Sequence, residues 1–159
     1  MRGRILVSEE QGTYDIKLEG DVRMVLCTSL NRYIESIFRE GKATQVLIDL
    51  LDATGVDSTT LGLLVKLAIH CNREFHLKPK VFCVDDGLNR TLVTMGIDEI
   101  CELHREAPNS FNGLIELECG DADPEEYRQQ VLEAHRLLVK LNPANHSEFI
   151  DLIRALEAE

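Results

Sequence analysis

Positive charge is in short supply in this sequence. Its 159 residues hold 17 Lys and Arg against 28 Asp and Glu, a formal net charge of −11. Binding of DNA or RNA phosphates draws on clustered basic residues, so no nucleic-acid partner is expected. An anionic membrane surface would repel the chain as well. Long apolar runs are also missing: none reaches the roughly 18 residues of a membrane span, and Met1–Val7 gives way at once to Ser8-Glu9-Glu10. Neither a secretory leader nor direct membrane insertion is expected, and the location expected is cytoplasmic.

Several chemical signatures are absent too. The five cysteines include no CxxC pair, which leaves no zinc or dithiol motif and reads as free thiols, mostly buried, in a reducing compartment. No glycine-rich phosphate cradle, no HExxH and no GxSxG elbow occurs. His70, His76, His104, His135 and His146 stand apart and read as ordinary surface or half-buried residues. Asp85-Asp86 before Gly87 reads as a helix cap or turn rather than a metal site. The residues build no enzyme and call for no cofactor.

What is present is enough apolar material, 44% of the chain, for a folded core. Arg4–Ser8 reads as a short strand. In Thr13–Glu19, Tyr14, Ile16 and Leu18 alternate with polar residues, so this is a strand with one solvated side, joined to the first by a hairpin at Gln11-Gly12. Leu26, Leu30, Tyr33, Ile34, Ile37 and Phe38 form a helical stripe that Gly41 ends. Val46–Leu51 is the continuous apolar run of an interior strand. Asp52–Ser58 reads as a polar turn and 59–73 as a helix. Val81–Val84 reads as a strand, 88–95 as a short helix ended by Gly96, and Ile97–Leu103 as an edge strand. This alternation predicts an α/β fold, a mixed, mostly parallel sheet of about five strands with packed helices.

The composition shifts after residue 105. Ala107–Gly113 reads as loop and Leu114–Cys119 as a short strand. Asp123-Pro124-Glu125-Glu126 combines a cap, a first-turn Pro and a Glu three residues after the cap, and so starts a helix. Asn142-Pro143 interrupts it before a second apolar helical stripe ending at Leu156. The expected division is a domain over 1–105, a linker over 106–122 and an acidic helical hairpin over 123–159. Residues 118–159 carry ten acidic and four basic side chains, net −6. That excess reads as solvated helix surface, or more sharply as a docking platform for a basic partner.

One arrangement stands out. Asp57-Ser58-Thr59-Thr60-Leu61-Gly62 lies between an interior strand and a helix, where unpaired N–H groups and the positive helix end meet. Three hydroxyls after an Asp read first as a helix cap. A phosphate placed there would be partly accommodated by the helix end and partly repelled by Asp57.

The stretch from Val46 to Leu64, with the apolar strand, the Asp57-Ser58-Thr59 loop, one further residue and then Leu61-Gly62, resembles the signature of STAS domains, in particular bacterial anti-sigma factor antagonists. The opening hairpin, Gly20-Asp21 and the later strand–helix order agree with it, over residues 3–105. The resemblance implies a non-enzymatic protein-binding module. Unmodified, it would bind an anti-sigma factor, often itself the serine/threonine kinase that modifies the second loop hydroxyl. That residue here is Thr59, with Ser58 the alternative, and ATP would belong to the kinase. A serine/threonine phosphatase, in some systems part of a response regulator, would reset the switch. Asp57, Ser58, Thr60, Gly62, Asp21 and Arg23 would make up the switch loop and partner-binding surface. Thr60 stands where the family often has Gly or Ala, and Arg23 is unusual there; it would serve as counter-charge to a phosphate on Thr59. Two other readings stay open: a non-switching STAS scaffold subunit of a transport or signalling complex, and a small hydrolase using Ser58, for which the sequence shows no positioned base.

Overall fold

The computed structural model describes residues 2–109 and 113–158. β1 (Arg4–Glu10) and β2 (Thr13–Val22) pair antiparallel around Gln11 and Gly12, whose φ values of 52° and 85° give the two-residue turn that suits the strand twist. Tyr14, Ile16, Leu18 and Val22 are buried, as the alternation predicts. They join Leu30, Ile34 and Ile37 of α1 (Cys27–Glu40) in the core, and Gly41 ends that helix in a left-handed conformation. β3 (Gln45–Asp49) runs parallel to β2 and is the expected interior strand, with Val46 and Ile48 buried.

Asp52–Ser58 is more than a polar turn. Within it, β4 (Ala53–Val56) pairs parallel with the end of β2, whose register shifts between Gly20 and Asp21. A Cβ on Gly55 would lie 2.5 Å from an Asp21 carboxylate oxygen, so glycine leaves that side chain its place. α2 (Ser58–His70) follows and widens into a π-turn over Cys71–Phe75. β5 (Lys80–Phe82) lies beside β3, and α3 (Asp86–Met95) is capped by Asp85 and ended by Gly96. The edge strand expected from Ile97 begins later. Ile97–Glu99 is a 3-10 turn that puts Ile97 in the core, and β6 (Glu102–His104) pairs parallel with β5.

Part of the loop expected over 107–113 lies outside the described residues. β7 (Ile115–Glu116), shorter than the strand expected over 114–119, pairs antiparallel with β1. Among the described residues the sheet therefore has seven strands where about five are expected, in the order β6-β5-β3-β2-β1-β7 with β4 beside β2. It is mixed and mostly parallel, with packed helices and C-terminal helices, consistent with a STAS-like fold.

Asp123 caps α4 (Pro124–Leu141) by accepting from the Glu126 N–H at 2.8 Å. Asn142–Asn145 turn the chain into α5 (His146–Glu157). The buried Asn145 amide donates to the carbonyls of Leu138 (2.8 Å) and Met95 (3.1 Å), fastening this corner to α3. α4 lies along α2.

Candidate functional site

The first turn of α2 is built as its sequence suggests. Asp57 is the cap: its Oδ1 accepts from the Thr60 N–H at 2.9 Å and from Thr60 Oγ1 at 2.7 Å. Its carbonyl accepts from the Leu61 N–H at 3.0 Å. The three hydroxyls then diverge, because successive helical residues point about 100° apart. Thr60 faces the core, fully buried, with Oγ1 3.5 Å from Cys27 Sγ. Burial pushes that thiol up to about 11, against the Thr60 hydrogen bond, with the Asp57 charge adding to the rise. Thr59 is also buried, 5% exposed. Ser58 is half-buried and points elsewhere.

Its partner comes from 77 residues further on. Ser58 Oγ lies 2.8 Å from His135 Nε2, and His135 Nδ1 lies 2.7 Å from the Val131 carbonyl. That carbonyl accepts and never donates, so in the neutral ring Nδ1 carries the proton and Nε2 receives the Ser58 hydroxyl. His135 is 1% exposed, with Phe149 of α5 edge-on at 5.0 Å. It is therefore not the surface or half-buried residue expected. Its spacing gives the signal: four after Val131 and three before Leu138, it sits on the apolar stripe of α4.

The rest of α4 follows α2 closely. Gly62 faces the backbone of Ala134. One turn on, Lys66 reaches Glu133 at 2.8 Å and Asn31 at 2.9 Å. Thr28 of α1 donates to Gln130 at 3.2 Å, and Arg32 reaches the Asp121 carbonyl at 3.0 Å and Glu126 at 3.2 Å. Gly62 thus lies under the hairpin, where α4 occupies the surface it offers.

Asp21, half-buried, and Arg23, exposed, pair with each other at 2.8 Å. The Asp57 N–H donates to the Val22 carbonyl at 3.3 Å, which holds this pair beside the loop. The site thus brings together Asp57, Ser58, Thr59 and Thr60 at the start of α2 and Gly62 one turn on, with Asp21 and Arg23 at the flank. Ser58 now has the base that the sequence could not supply. The ring of that pair is buried with Phe149 of α5 against it, while the hydroxyl is half-buried. Among the described residues no three His, Cys, Asp or Glu side chains are placed to hold a metal ion, and no helix is long and apolar enough to cross a membrane.

The fold has a counterpart among solved structures. The chain is similar to the crystal structure of an anti-sigma factor antagonist from Mycobacterium paratuberculosis, with a TM-score of 0.55 and 20% sequence identity over 64% of this chain and 85% of that one. What the two share is the fold. No family model and no curated protein matches the sequence.

Proposed function

We propose that this chain is an anti-sigma factor antagonist, a cytoplasmic protein-binding module switched by phosphorylation in the first turn of α2. Unmodified, it holds an anti-sigma factor or serine/threonine kinase; modified, it releases it. A serine/threonine phosphatase resets it, in some arrangements as part of a response regulator. Residues 1–105 form the switch domain, and 123–159 are an acidic helical extension of it. The fold shared with an antagonist supports the reading.

The observation that carries it is the different burial of the three hydroxyls. Thr59 and Thr60 are buried while Ser58 is half-buried, so Ser58 is the hydroxyl nearest to a kinase's reach. This favours Ser58 over Thr59, the residue to which the motif alone points. Asp57, with Asp21 and Arg23 beside it, sets the charge around it.

The test is capture of partners from native lysate with wild type, Ser58→Ala, Ser58→Asp and Thr59→Ala, with phosphopeptide mapping after incubation with ATP. The expected result is one phosphate on Ser58, absent in Ser58→Ala and retained in Thr59→Ala, and a partner lost in Ser58→Asp. A second reading, a non-switching scaffold subunit, draws on the Ser58–His135 bond, which leaves this hydroxyl a purely structural job. It predicts the same partners with all four proteins and no phosphate on residues 57–60.

A further inference from the structure

The bond between Ser58 and His135 joins the proposed switch to the C-terminal hairpin at a point with no slack. The ring is held on three sides: by the Val131 carbonyl at Nδ1, by Phe149 on its edge-on face and by the Ser58 hydroxyl at Nε2. One turn further along, α2 and α4 already touch at Gly62 and Ala134, so the helices have no room to move closer and pivot the ring aside. We infer that α4 and α5 form a latch seated on α2, and that a phosphate on Ser58 and the seated latch exclude each other. The inference rests on Ser58 being the modified hydroxyl.

Three physical reasons carry it. Phosphorylation replaces the hydroxyl proton, so Ser58 can no longer donate to Nε2. A phosphoryl group has to enter a gap now closed at 2.8 Å. The Asp57 carboxylate, one residue before, adds like charge at the same place. Leaving α2 would uncover Gly62 and the Lys66 ammonium now paired with Glu133, together with the inward residues Leu132, Leu138, Phe149 and Ile153 of the hairpin. A local charge is thereby converted into a change of exposed surface.

Coupling of this kind is reciprocal, which provides two independent readings. In hydrogen–deuterium exchange of the full chain, Ser58→Asp should speed exchange in α4 and α5 by about tenfold or more, with β2 and β3 unchanged. Protection of α4 equal to or above wild type, with the sheet intact, overturns the inference. The reverse arm decides if Ser58→Asp disturbs the sheet itself. Ser58→Cys in a Cys119→Ser background is treated with iodoacetamide, with and without Gly62→Val, whose side chain displaces Ala134. The expected result is alkylation of position 58 about tenfold faster when Gly62→Val is present; equal rates overturn the inference. Neither arm needs a kinase. Coupling without any phosphate on Ser58 in the lysate experiment therefore refutes the proposed function alone, and phosphate on Ser58 without a response of the hairpin refutes the latch alone.

Discussion

A Cβ placed on Gly62 would stand 2.5 Å from the carbonyl oxygen of Ala134 and 2.6 Å from its Cβ, so α2 and α4 meet backbone to backbone. The atoms in the way belong to a helix, which cannot yield as a flexible side chain can. Alanine gains about 1 kcal/mol over glycine in helix propensity. Overpacking costs roughly 1–3 kcal/mol and outweighs it at this contact. Gly62→Ala should therefore lower stability by about 1 kcal/mol in urea denaturation. Stability at or above wild type would contradict so close an approach of the helices.

The cap at Asp57 serves two donors of one residue. Its loss strands a backbone N–H and leaves the hydroxyl of the fully buried Thr60 only the weaker Cys27 sulfur as partner. Asp57→Ala should cost about 2 kcal/mol, the cap contributing roughly half and the weakened bonding of the hydroxyl the remainder. Asp57→Asn keeps an acceptor and should recover most of it. Equal losses in the two variants, measured by urea denaturation, would show that charge and not hydrogen bonding is what Asp57 supplies.

On the other side of β2, Asp15 is 7% exposed and accepts from Ser8 Oγ at 2.9 Å, while its Oδ1 has no partner among the described residues. Burial pushes its carboxyl up from the ordinary Asp value; the Ser8 bond opposes this and the neighbouring Asp49 adds to it. The folded chain thus holds this proton to higher pH than the unfolded chain does. Its stabilising contribution is full at acid pH and is lost as pH rises through the folded pKa. Asp15→Asn carries no such loss and should be more stable than wild type at pH 7 in urea denaturation. The gain should shrink towards pH 3, and a difference independent of pH across that range would refute the account.

Cysteine chemistry gives a separate check of the core. Cys119 is exposed, and Cys27, Cys71, Cys83 and Cys101 are buried. Burial pushes Cys71 and Cys101 each up to about 12. At pH 8 a disulfide reagent should titrate one thiol in the folded chain and all five after unfolding. The unfolded chain releases these protons near the ordinary thiol value of 9, so stability should fall as pH rises from about 9 to about 12. Rapid reaction of more than one thiol in the native protein would mean that the core around α2 is open.

Much of this architecture can be read from local pattern. The alternation in β2, the Asp57 cap and the Asp123-Pro124 start of α4 each depend on neighbours in the chain, and each lies where those patterns put it. β4 is illegible for the opposite reason: Ala53-Thr54-Gly55-Val56 is a strand because the end of β2 lies beside it. β7 lies inside the strand expected over 114–119, and only its length depends on β1, which pairs two of its residues. At the candidate site, the motif marks the turn but leaves open which hydroxyl faces outward, since that depends on the phase of α2 against the core. The His135 contact is harder still. A histidine on an apolar stripe signals a buried polar partner, but Ser58 becomes that partner through the packing of α4 on α2.

The buried Asn145 gives the hairpin a fulcrum. It fastens the corner at the C-terminal end of α4 to α3. At about 1.5 Å per residue, His135 lies roughly 9 Å from that end of the helix and Pro124 roughly 25 Å. Tilting α4 about the corner therefore multiplies displacement nearly threefold from His135 to Pro124. The far end of this lever rests on α1, where Arg32 holds Glu126 and the Asp121 carbonyl. A movement of 1 Å at Ser58 thus becomes about 3 Å at the surface of α1, enough to part hydrogen bonds that no charge on Ser58 touches directly.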